Sequence, residues 1–320
     1  MIHALARSMW VRVLVTGAIL TYMATRLDMR EAGRAMLQVS LPHVIVVAVL
    51  VACDRAVMIW RWIVLLRSSG SPVTTRVASR IFLVSSFVGN FLPAGVGADA
   101  ARAYALSRHT SRGGEAVASV TIDRYLGVVS LVILGAIGAA SSTRVLPSDQ
   151  RTAVVGIALL LTIASVSLFW LDKVIDRLMP RSWHDGPIGR RLRAATQSIG
   201  EYRGRPGTLL TVLVLSFVVQ WLRILQAYGL GRGLGIDVPF GYYIVFMPVG
   251  LLMLLMPVSV SGFGLPQGVI VWMLRPVGVP GSLGMALSTL IVLAGIAGNL
   301  PGAWLYLWTR GPREESVRRP

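Results

Sequence analysis

Gly89-Asn90-Phe91-Leu92-Pro93-Ala94-Gly95-Val96-Gly97-Ala98-Asp99-Ala100-Ala101-Arg102 ends an apolar stretch, 79–98, long enough to cross a bilayer. A helix cannot run through it unbroken, because interior Pro and clustered Gly remove helical hydrogen bonds. Opened backbone is tolerated at membrane depth only where protein or a wet cavity covers it. The stretch therefore reads as a broken or re-entrant helix. A second stretch, 240–275, is interrupted by Pro248, Pro257, Gly262, Gly264 and Pro266. Paired Gly/Pro-interrupted segments in the two halves of a chain are the sequence sign of inverted-repeat transporters and point to a substrate site. The alternative is two packing kinks with no ligand between them.

Around these stretches the composition leaves little choice of solvent. Hydrophobic residues make up 54% of 320 residues and charged ones 14%, against about 25% charged in an ordinary soluble domain, and the mean hydropathy is +0.68. Six segments, 9–27, 43–66, 115–140, 152–171, 207–230 and 283–309, are long enough to span, since a hydrocarbon core of ~30 Å takes roughly 20 apolar residues per helix. The expected fold is an all-α polytopic membrane protein with about six full spans and two broken or re-entrant hairpins. It is a single transmembrane domain over 1–320, with halves of about 1–140 and 152–309 and a basic loop at 172–206. The first apolar segment carries no cleavage site, so it is expected to be retained.

The net charge is +17. Because the arginines fall between apolar runs, this excess points to anionic headgroups and not to nucleic acid. Cytoplasmic loops carry the Lys/Arg excess. With the N-terminus inside, 19 basic residues fall in cytoplasmic segments, 7 on the opposite side and 5 within spans. Both termini and the loop 172–206 are expected in the cytoplasm, which suits a bacterial inner-membrane protein. Single cysteines at Ser182 and Ser148, in a Cys53→Ala background, should then label from opposite sides of the membrane. Equal labelling from outside would refute this orientation. Ile188, Leu192, Ala195 and Ile199 recur at helical spacing within that loop, so it is either a helix in the headgroup plane or an ordinary basic loop.

Ionisable groups within spans cost a few kcal/mol each and need a partner or a wet cavity. Asp54, Arg55 and Arg61 lie in the second span, and the spacing places Asp54 on one face with Arg61, not Arg55. Arg61 either snorkels to the interface or grips a headgroup. Asp99 and Arg102 stand i,i+3 and can pair; with backbone N–H groups of the broken helix, Arg102 would make a phosphate site. Asp123 and Arg124 follow Glu115 by eight and nine residues, roughly 12 Å into a helix rising 1.5 Å per residue. Gln220, Arg223 and Gln226 form one polar stripe, in which the glutamines suit interhelical hydrogen bonds.

Other chemistry lacks its motifs. No G-x-x-x-x-G-K-[ST] loop, G-x-S-x-G elbow or H-E-x-x-H pair occurs, and the four histidines are scattered, so neither nucleotide-driven pumping nor a metal or other cofactor is expected. A single cysteine excludes an internal disulfide.

The run Gly89 to Tyr104 followed by Ala116-Val-Ala-Ser119-x-x-x-Asp123-Arg124 resembles the lysylphosphatidylglycerol synthase transmembrane family, which is flippase-like and includes the membrane half of the multiple peptide resistance factor. Further matches are Arg61-Trp62, Pro257-x-Ser259-x-x-Gly262-x-Gly264 and Asn299-Leu-Pro301-Gly302. The resemblance implies movement of a polar or phosphate-bearing lipid, such as a phospholipid, hopanoid or polyprenyl-linked sugar, between leaflets. It departs where the family places Arg-Glu after the second Gly-x-Gly, because this chain has Pro266-Gln267, and losing that acid weakens the case for a cationic headgroup. Only eleven residues follow 309, so no attached synthase domain is expected; a lipid-modifying enzyme acting in trans is a compatible partner. The expected substrate lining is Arg61, Asn90, Pro93, Gly95, Gly97, Asp99, Arg102, Asp123, Arg124, Arg223, Pro257, Gly262, Gly264 and Gln267. Arg102→Ala and Arg124→Ala are expected to slow lipid movement with the fold intact. The alternatives are a membrane enzyme using Asp99 or Asp123 as a base and a non-catalytic partner of a synthase.

Overall fold

The computed structural model describes residues 27–92, 97–110, 113–141, 200–255 and 263–309, with isolated positions elsewhere. The expected spans 9–27 and 152–171 and most of the loop 172–206 lie outside them. Every regular element among the described residues is helical: α1 Met29–Leu37, α2 Leu41–Ser68, α3 Thr75–Gly89, α4 Gly97–Ser107, α5 Gly113–Ser141, α6 Pro206–Gly233, α7 Phe240–Leu255, α8 Leu265–Leu274, α9 Gly281–Ala297 and α10 Leu300–Thr309. Four runs, Leu41–Ser68, Gly114–Gly138, Pro206–Gly233 and Gly281–Trp308, are long and apolar enough to cross a membrane. Their outward faces carry exposed Val46, Val49, Leu210, Val214 and Leu293, which lipid can solvate and water cannot. The protein is a multi-pass membrane protein.

Helices start where the sequence gives them a cap or a proline. Asp28 accepts from the backbone of Arg30 and Glu31 at the start of α1, and Thr74 accepts from Val77 at the start of α3. Pro42 and Pro206 sit in the first turns of α2 and α6, where the missing N–H would have no intrahelical partner.

The α2–α6 pair is the most extensive contact of the bundle, and α5 packs against both. Helices α3 and α4, on either side of the first break, pack together, as do α7 and α8 on either side of the second, and α10 lies along α3. Two glycines permit this closeness. A Cβ on Gly89 would strike Ala98 and push α4 off the end of α3, while one on Gly302 would run into the Leu83 carbonyl and separate α10 from α3. One buried cluster gathers Trp62, Leu65, Phe82, Leu106 and Ile122. A second centres on Tyr243, Phe246, Leu274 and Leu287.

Two expectations change. Pro248 does not interrupt its stretch but lies inside α7, packed against α5 near Gly135. The 283–309 segment is not one uninterrupted helix: it divides at Gly298-Asn299 into α9 and α10, where Pro301 lacks the N–H that a continuous helix would use.

Candidate functional site

Asp123, on α5, is 1% exposed, and two arginines from other helices neutralise it. Arg61 of α2 donates from Nε to Asp123 Oδ1 at 2.7 Å and from Nη1 to Ser216 Oγ at 3.0 Å. Arg102 of α4 places Nη1 3.1 Å from Asp123 Oδ2 and donates from Nη2 to Asp99 Oδ1 at 2.9 Å. Arg124 donates to the other oxygen of Asp99. The result is an alternating chain, Arg124–Asp99–Arg102–Asp123–Arg61, running across three helices. Its centre is held by packing as well, because the Arg102 guanidinium stands 5.2 Å from the Trp62 ring centroid and 5.0 Å from that of Phe82, within the range of cation–π attraction.

A second cluster lies beside the first. Arg223 Nε of α6 is 3.3 Å from Asp54 Oδ1, and Arg55 Nε is 3.9 Å from Asp54 Oδ2. Arg55 also donates from Nη2 to the Gly295 carbonyl at 3.1 Å, just before the break between α9 and α10. Each cluster faces a cavity: one of about 250 Å³ bounded by Arg61, Arg102, Arg124 and Gln220, the other of about 230 Å³ bounded by Asp54, Arg55, Asn90 and Asn299. Arg223 and Leu251 line both. Counting Arg55, Arg61, Arg102, Arg124 and Arg223 against Asp54, Asp99 and Asp123 leaves two positive charges in excess. In a low-dielectric span such an excess favours an anion.

A profile of the family described as Lysylphosphatidylglycerol synthase TM region matches residues 9–301. The chain belongs to that lysylphosphatidylglycerol synthase transmembrane family. Membership agrees with the helical spans and ties the chain to membrane-lipid function. No curated protein matches it.

Within this family member, Arg61, Asp99, Arg102, Asp123, Arg124 and Arg223 share one cavity lining. The i,i+3 pairing of Asp99 with Arg102 is present at 2.9 Å. Arg61 does not snorkel; it is 4% exposed. Asp54 does not join Arg61, as the helical spacing suggested, but Arg223 and Arg55, because Asp123 already holds Arg61. Both glutamines of the α6 stripe bond across helices, Gln220 to the Gly127 carbonyl and Gln226 to that of Leu50, each at 3.2 Å. Asn90 lines the second cavity and accepts from Asn299 Nδ2 at 2.9 Å, tying the two helix breaks together. Gly97 opens α4 against Leu92.

Gly264 has φ +105°, a conformation that favours glycine. The fully buried Gln267 accepts from its N–H at 2.7 Å, one half of a capping box. Pro93, Gly95, Pro257 and Gly262 lie outside the described residues. Asp54 and Arg55 were legible only as costly span residues, Asn299 only as part of the Asn299-Leu-Pro301-Gly302 match, and Ser216 and Met58 gave no sequence signal as site residues. Arg102 is buried between two rings and two carboxylates, so Arg102→Ala is expected to disturb the fold as well as lipid movement. Arg124, whose side chain is 36% exposed, is the arginine that can be removed without opening the core.

Proposed function

We propose that the protein is a lipid translocase of the bacterial inner membrane that moves a polar or phosphate-bearing headgroup between leaflets, with both termini cytoplasmic and no covalent step. The observation that carries this reading is the pair of cavities meeting at Arg223, lined by five arginines and three aspartates within apolar helices. A phosphate entering the first cavity meets Arg124, the most exposed member of its charge chain, and can exchange carboxylate for phosphate contacts along it. Each guanidinium then keeps an anionic partner, so no charge is stranded in the hydrocarbon layer. The helix ends at Asn90 and Asn299 place backbone outside regular helix beside this path. A lipid-modifying enzyme acting in trans would supply or consume the lipid.

The test is reconstitution. Labelled inner-leaflet lipid in liposomes should become accessible to an external quencher without ATP, and Arg124→Ala should slow this about tenfold, the effect of one charge-assisted hydrogen bond. The panel is phosphatidylglycerol, its aminoacylated form, a polyprenyl phosphate and a hopanoid. Should none move faster than in empty liposomes, the protein is not a translocase for these lipids.

A further inference from the structure

The segment 283–309 is divided between two sets of neighbours. Its first half, α9, packs chiefly against α8, α1, α6 and α2, whereas its second half, α10, packs against α3. The break between them frees backbone groups. The Asn299 N–H bonds to the Ile296 carbonyl at 2.9 Å and not to that of Gly295, and Pro301 has no N–H to offer Ala297. Different helices then hold the two sides of the break. Arg55 of α2 donates from Nη2 to the freed Gly295 carbonyl at 3.1 Å, in space that Gly298 leaves by having no Cβ. On the other side, Asn299 Nδ2 donates at 2.9 Å to Asn90 Oδ1, at the end of α3, and Gly302 brings α10 against the Leu83 carbonyl.

Helices α3, α4 and α10 have 15, 11 and 10 residues, fewer than the roughly 20 that a full span takes. Both α4 and α10 pack closely on α3. The attachment of these three to the rest of the bundle differs along their length. At the start of α3, Arg67 of α2 donates to Thr75 Oγ1 at 3.0 Å, and Trp62, Leu65, Phe82 and Leu106 join α2, α3 and α4 in one apolar cluster. Around the start of α4 the links to α5 are ion pairs, Arg124 with Asp99 and Arg102 with Asp123. An apolar cluster holds as long as it stays dry. An exposed ion pair gains little over water, and Arg124, with its side chain 36% exposed, can let go.

We propose that α3, α4 and α10 move as one body against the rest of the bundle, pivoting where α2 passes into α3 and bending at Gly298-Asn299, with the α4–α5 ion pairs as the catch. Leu83 and Pro301 of this body line one groove with Val51, Ala52 and Ile59 of α2, so the swing changes the width of the opening between them. Arg55 holds α9 on the fixed side and is a positioning residue for the hinge. The inference deepens the translocase reading, because such a body opens one side of the membrane to the cavities, and it rests on that reading for its purpose alone. A body that moves in a protein carrying no tested lipid would remove the translocase reading and leave the motion standing.

The experiment is double electron–electron resonance between spin labels on the purified full-length protein, in a Cys53→Ala background and phosphatidylcholine nanodiscs. Leu293 with Leu307 crosses the break, Arg76 with Leu300 lies within the body, and all four positions are exposed. Arg124→Gln releases the catch and should add a second distance population to the crossing pair, while the inner pair keeps one. Pro301→Ala, at an exposed position, restores an N–H to the break. It should narrow the crossing-pair distribution in the otherwise unaltered protein and suppress the second population in Arg124→Gln; the first of these readings keeps the test alive if Arg124→Gln does not fold. A single unchanged crossing distance in folded Arg124→Gln, a spread in the inner pair equal to that of the crossing pair, or no narrowing with Pro301→Ala would each overturn the proposal.

Discussion

Asp123→Ala should destabilise the protein by about 3–5 kcal/mol, the usual cost of removing one partner from a buried ion pair. Asp123 is 1% exposed and receives Arg61 at 2.7 Å and Arg102 at 3.1 Å. Without it, among the described residues, Arg61 keeps Ser216 and Arg102 keeps Asp99 as polar side-chain partners. Neither side chain can withdraw to water, since both are about 5% exposed. Asp123→Asn should be milder, because its single carbonyl oxygen can still accept from one guanidinium while its amide faces the other unfavourably. Thermal unfolding in detergent, followed by tryptophan fluorescence, to which Trp62 beside Arg102 contributes, measures both. Wild-type stability in Asp123→Ala would mean that water reaches the arginines and that the chain of charges is not a closed network.

The architecture was legible where it depends on neighbours in sequence. Apolar run length gave α2, α5 and α6 to within a few residues at each end, and the Pro/Gly interruption separated α3 from α4. Asp99 with Arg102 follows from i,i+3 geometry alone. Asp123 with Arg61 does not, since 62 residues separate them and only the packing of α2 on α5 decides the pairing. For the same reason helical spacing misdirected Asp54: sharing a face with Arg61 mattered less than Arg223 arriving from α6 at 3.3 Å. The break at Gly298-Asn299 coincides with the run Gly298-Asn299-Leu300-Pro301-Gly302, but apolar run length read 283–309 as one span. It is visible in the structure through Arg55 reaching the Gly295 carbonyl and Asn299 reaching Asn90. Local charge spacing thus named most of the first cavity, while the members of the second, Asp54, Arg55, Asn90, Arg223 and Asn299, each carried a separate signal and are joined only by the packing of α2, α6 and the α9–α10 break.

Asp99 and Arg102 should prove non-additive in a double-mutant cycle, with a coupling of about 0.5–3 kcal/mol, the range for residues in one charge network. The two single changes should not be equal. Asp99→Ala leaves Arg102 on Asp123 and frees Arg124, which at 36% exposure can recruit water. Arg102→Ala removes a side chain packed against Trp62 and Phe82 and leaves two carboxylates each one donor short, so it should be the more damaging. In the double variant Asp99 is no longer left short of a donor, and the total loss should fall below the sum of the singles. Arg102→Met separates the contributions, because methionine fills the space between the rings without the charge. If Arg102→Met matches wild type in thermal stability, aromatic packing alone holds α4 in place. If it falls as far as Arg102→Ala, the guanidinium's bonds to Asp99 and Asp123 are what fix the first broken hairpin against α5, and a headgroup that competes for them would loosen that hairpin as it passes.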